Sequence, residues 1–144
     1  MPWETKTKLE VTLLSNRSQW FNEGQPVMRH FSDFETVHNK KQSYCIFIAT
    51  KMPSDTGNTF RFSVKYEYEG QKQKIIPITI QQFIEILHYL YEVKKQNKAY
   101  FLLHKKTQEL FDSIVSSSSG LTKSDDWLMS IPIIIKKWGK SIAT

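Results

Sequence analysis

Glu10 stands in the middle of the apolar, β-branched run Leu9-Glu10-Val11-Thr12-Leu13, where a carboxylate is costly to bury without a partner. Gln19, Glu23 and the pair Arg29-His30 follow it along the chain. Two carboxylates and an imidazole meeting at a strand end can hold a divalent cation and move a proton, which is what cutting a phosphodiester requires. The spacing alone equally fits an edge-strand Glu facing water, a loop Glu and a surface His on a helix.

The elements that position these residues can be read from periodicity. Thr5 to Leu14 predicts a strand, because Leu9, Val11 and Leu13 alternate with Lys8, Glu10 and Thr12. Period two places Glu10 and Thr12 on one face, a pleat apart. Ser15 to Ser18 is a polar connector. Pro26 suits the first turn of a helix, so a helix is predicted from Gly24 or Gln25 to about Val37. Its i, i+3, i+4, i+7 stripe is Val27, His30, Phe31 and Phe34, which turns His30 inward. Tyr44 to Ala49 is a continuous apolar run, expected as a central strand covered on both faces.

Met52 to Asn58 has the composition of a loop. Phe60, Phe62, Val64, Tyr66 and Tyr68 alternate strictly and predict a strand ending at Glu69-Gly70. Ile75 to Ile78 is an extended segment. It leads into a helix whose Thr79 and Gln82 have the spacing of a capping box, running to about Lys94. A further helix spans roughly Lys98 to Ser113, and Ser116 to Gly120 has the composition of a flexible linker. Ser124 caps a last helix opening with Asp125-Asp126, which Pro132 is expected to bend or interrupt. The expected core includes Trp3, Phe34, Phe47, Ile78 and Leu87.

The 144 residues fit one domain large enough to bury a core. The formal charge of +6, from 20 Lys and Arg against 14 Asp and Glu, favours a polyanionic partner, most simply nucleic acid. Cys45 is the only cysteine, which excludes an intramolecular disulfide and a cysteine metal cluster, and its apolar surroundings predict a buried, inert thiol. No signal-like or membrane-spanning run is present, so a cytosolic protein is expected.

The run Leu9-Glu10-Val11-Thr12, with Gln19, Glu23, Arg29-His30 and then Ile75-Ile76-Pro77-Ile78-Thr79 plus Phe83, resembles the cleavage domain of the AlwI-type type IIS restriction and nicking endonucleases, members of the PD-(D/E)XK nuclease class. The resemblance runs from about residue 8 to residue 95, and more weakly includes the Asp126-Trp127 helix. It implies an α/β fold: a partial restriction-endonuclease-like core, with a central sheet flanked by helices, over residues 1–95, and residues 96–144 as a helical extension of the same domain. It implies Mg²⁺-dependent hydrolysis of double-stranded DNA, with Mn²⁺ as a substitute. Glu10 would ligate the ion, with the Val11 backbone carbonyl beside it. Glu23 and His30 would be further active-site residues, and Gln19 would orient Glu23 or contact a phosphate. Thr12 occupies the place where many nucleases of the class carry lysine, which removes a cationic helper for the attacking water.

The class also uses an acidic residue upstream, on the strand that pairs with the Glu10 strand. Glu4 does not supply it, since at about 3.3 Å per residue it lies far from Glu10 on the same extended segment. The chain is therefore expected to act as a fragment or small subunit. It would be completed as a homodimer or by a partner subunit that carries DNA recognition. The alternative is a catalytically inactive DNA-binding or subunit-interaction remnant of such an enzyme.

Overall fold

The computed structural model describes residues 6–38, 43–68, 71–96, 103–120 and 124–143. At its centre lies β2 (Ser43–Ala49), all seven residues of which are buried. β1 (Lys6–Thr12) and β3 (Ile75–Thr79) flank it in the order β1-β2-β3, and both pair with it in parallel. Parallel neighbours need a crossover connection, and α1 (Gln25–Val37) and α2 (Ser54–Lys65) supply the two crossovers. A strand covered on both faces carries no alternation, which is why Tyr44 to Ala49 reads as one apolar run. The expected pairing of the Glu10 strand with the Tyr44 strand is present, with Glu10 level with Phe47.

A π-helical turn, Trp20–Gly24, runs without a break into α1. Gly24 is buried where Trp20 and Phe60 approach, and a Cβ there would lie 2.7 Å from the Trp20 ring. Pro26 sits in the first turn of α1, as its fixed φ and missing N–H favour. Val27, Met28 and Phe31 form the buried stripe of α1. The Thr79–Gln82 capping box is formed in both directions and starts α3 (Ile80–Lys95). α4 (Leu103–Ser117) and α5 (Ser124–Ala143) complete the fold. α5 belongs to the main core: Trp127, Ile131, Ile135 and Trp138 are buried in the same cluster as β2. The Trp127 and Trp138 indole N–H groups donate to the Ile114 and Lys106 carbonyls, pinning α5 to α4.

Four expectations are corrected. Within the segment read as a loop over Met52–Asn58 and a strand over Phe60–Tyr68, residues Ser54–Lys65 form one helix, α2. Thr56, Gly57, Phe60, Ser63 and Val64 are its buried stripe, whereas Phe62 and Tyr66 meet each other on the outer face with ring centroids 5.3 Å apart. Aromatic residues on both faces of a helix imitate period two over a short window. The serine-rich linker is partly helix, because α4 continues to Ser117. The Ser117 and Ser118 hydroxyls donate to the Ile114 and Val115 carbonyls of its last turn. Pro132 lies inside an uninterrupted α5, held by the buried stripe on either side of it. Leu87 is exposed, whereas Phe47 and Ile78 are buried and Phe34 packs against the core. Trp3, the start of the helix expected from Lys98 and the Glu69-Gly70 turn lie outside the described residues.

Candidate active site on the edge strand

β1 is an edge strand among the described residues, and its two faces differ in an unexpected sense. Leu9, Val11 and Leu13 are 51%, 57% and 82% exposed. Lys8, Glu10 and Thr12 lie on the covered face instead. Register places Lys8, Glu10 and Thr12 beside Cys45, Phe47 and Ala49 of β2. Phe47 meets Phe60 of α2 edge-on at 4.9 Å, and Phe60 meets Trp20 at 6.3 Å, so the π turn and α2 roof this side of the sheet. The opposite face carries Tyr44, whose ring lies 5.4 Å from Phe111 of α4.

Glu10 is not left bare at the margin of this roof. Its Oε1 lies 3.0 Å from the Lys8 ammonium, and both side chains keep just over a quarter of their surface open to solvent, 28% and 27%. Lys8 is two residues earlier on the same face, which is what lets the pair close. Thr12 is buried, and its hydroxyl accepts a hydrogen bond from the Leu14 N–H at 3.1 Å. Cys45 is fully buried beneath the pair; burial pushes its thiol well above the usual range, and the Glu10 carboxylate adds to the effect. The predicted burial of Cys45 is what the structure shows.

The remaining predicted residues divide. Gln19 is fully buried, away from any phosphate in solvent, and no hydrogen bond joins its amide to Glu23. Its Nε2 donates instead to the Leu14 carbonyl at 2.5 Å and the Lys51 carbonyl at 2.9 Å, joining the segments that leave β1 and β2. Glu23 is half-buried in the π turn. His30 is exposed, correcting the inward assignment: Val27, Met28, Phe31 and Glu35 take the core side, and Arg29 and His30 share the solvent side. The Val11 side chain faces away from Glu10, and the expected role of this residue rests on its carbonyl alone. Among the described residues no group of three His, Cys, Asp or Glu stands close enough to hold a metal ion, so Glu10, Glu23 and His30 are not brought together as one site. Glu10 alone of the three candidates lies on the strand face beside Phe47, and a metal ion there would need further oxygen ligands. Sequence reasoning passed over Lys8, although its spacing from Glu10 was the available signal.

The architecture is a three-stranded parallel sheet with helices, and a carboxylate lies on the strand at its edge among the described residues. The small subunit of the heterodimeric restriction endonuclease R.BspD6I matches with a TM-score of 0.62 over 96% of this chain at 18% identity. This chain spans 62% of that subunit. The chain belongs to the AlwI restriction endonuclease family, whose family model matches residues 4–86 and so includes every candidate residue from Glu10 to His30. No curated protein matches it. No helix among the described residues is long and apolar enough to cross a membrane.

Proposed function

We propose that this chain is the cleavage component of a type IIS-like restriction endonuclease of the PD-(D/E)XK class, hydrolysing DNA phosphodiester bonds with Mg²⁺, or Mn²⁺ in its place. The observation that carries the reading is the Glu10 carboxylate, held at the solvent margin of a roofed sheet face inside the family match. Glu10, with the Val11 carbonyl, would hold the ion. A hard divalent cation bound by oxygen ligands would offset charge building on the phosphate oxygens. One carboxylate leaves such an ion mostly hydrated, so the set is completed by a carboxylate from a strand on the open edge of β1. That carboxylate would come from a longer polypeptide or from a partner subunit; the structural neighbour is itself the small subunit of a heterodimeric restriction endonuclease. Glu23 and His30, on the turn and helix that follow, would be further active-site residues that close on the site only in the complete enzyme.

The test is plasmid nicking with Mg²⁺ or Mn²⁺ by the chain alone and by an N-terminally extended chain that carries an acidic strand, each beside Glu10→Ala. Nicking that appears on completion and vanishes with Glu10→Ala is expected. Thr12→Lys alone leaves the present chain slow, because it adds a cation and no metal ligand. Equal nicking by the wild type and Glu10→Ala would remove the hydrolytic role. The second reading, a non-catalytic DNA-binding or subunit-interaction module, is favoured by the absence of a three-residue metal group among the described residues. It predicts salt-sensitive DNA binding without cleavage under every arm of the experiment.

A further inference from the structure

We infer that Lys8 is a DNA-contacting residue of the Glu10 site: its ammonium leaves the carboxylate and donates to a phosphate oxygen when DNA is bound. The inference rests on the DNA-acting reading above. A phosphate arriving at a carboxylate is repelled unless a cation stands beside them. The covered face of β1 also carries Lys6, four residues from Glu10, but the cation at the carboxylate is Lys8, 3.0 Å from Glu10 Oε1. Thr12, the other neighbour on that face, is uncharged and buried, and its oxygen is already accepting from the Leu14 N–H.

The pair is poised to exchange. Both partners keep about a quarter of their surface in contact with solvent, so the pair is open to water at its margin. A bond from an ammonium to a phosphate oxygen is charge-assisted, as the bond to Glu10 is, so the lysine exchanges one anion for another of similar strength. Its flexible four-carbon stem lets the charge swing without moving the strand. In the free protein Lys8 neutralises Glu10. In the DNA complex it neutralises a phosphate and releases the carboxylate for other work, so one side chain serves the site in both states.

The experiment measures DNA affinity of the full chain as a function of salt for the wild type, Lys8→Met and Lys8→Arg, with thermal melting of each as a check on folding. One phosphate contact contributes about 0.9 to the slope of log affinity against log salt. The affinity ratio of wild type to Lys8→Met is therefore expected to shrink about 3.5-fold between 50 and 200 mM salt. Lys8→Arg retains the wild-type slope. Salt-dependent binding by the wild type with an identical slope in Lys8→Met would overturn the inference while leaving the DNA-acting reading intact. Absence of DNA binding by the wild type would overturn both.

Discussion

Replacing Gln19 with glutamate changes almost no volume and exchanges the one group this position needs. The Gln19 amide is fully buried and gives its two N–H bonds to the carbonyls of Leu14 and Lys51. A protonated Glu keeps one donor and so loses one of these bonds, about 1 kcal/mol. An ionised Glu has no donor and faces two carbonyl oxygens. Holding the proton on at pH 7 against an ordinary carboxyl value near 4.3 costs about 4 kcal/mol, at roughly 1.4 kcal/mol per unit. The expected loss is thus about 5 kcal/mol at pH 7 and about 1 near pH 4. The folded-state value is raised, so stability is present below the unfolded value and is lost as pH rises. Urea denaturation of Gln19→Glu and Gln19→Met, each referred to the wild type at pH 4.5 and pH 7.5, reads this directly. Gln19→Met loses both bonds without introducing charge, about 1–3 kcal/mol at either pH. An equal loss for Gln19→Glu at the two pH values would refute the role assigned to Gln19.

Two further perturbations examine the frame around the site. At Gly57 an added Cβ would run into Leu128 of α5, so Gly57→Ala is expected to cost about 1–3 kcal/mol in a thermal or denaturant melt; a wild-type midpoint would contradict the close crossing of α2 and α5. The Tyr44 phenol is pushed up from its ordinary 10.0, first by burial and then by the hydrogen bond it donates to Asp112 at 2.5 Å. The unfolded chain releases that proton near 10.0 and the folded chain holds it, so stability falls as pH rises above that value, and Tyr44→Phe flattens the alkaline limb of a pH–stability curve.

The legible parts of the fold were those in which one local signal had a single physical meaning. Pro26 could open a helix but not sit within one, Thr79 and Gln82 could cap reciprocally, and the Tyr44–Ala49 run had no polar face to expose. α2 was illegible because its two faces are both aromatic, so only the packing of Phe60 against Phe47 and Trp20 separates helix from strand. Pro132 failed as a breaker because Ile131 and Ile135 are buried on both sides of it. At the site, the face shared by Glu10 and Thr12 followed from period two, and the structure bears this out. The roles of Gln19 and Lys8 did not follow. The first depends on a carbonyl of the distant Lys51, and the second on which face of β1 the helices cover.

That choice of face leaves β1 in conflict with its own sequence. Sliding one residue along β2 would turn Leu9, Val11 and Leu13 toward the Phe47–Phe60 layer and expel Lys8, Glu10 and Thr12. Apolar burial by itself favours the slipped arrangement. The native alignment must be held by something other than greasy contact, and the bonds at the end of the strand are placed to hold it. Gln19 fixes the Leu14 carbonyl against that of Lys51, which measures the exit of β1 against the exit of β2, and the Leu14 N–H anchors the Thr12 hydroxyl. A single buried amide therefore acts as a ratchet pawl, keeping the carboxylate on the inside of a strand whose hydrophobic residues pull the other way. Conflict of this kind between local preference and overall fold tends to be retained where function demands it.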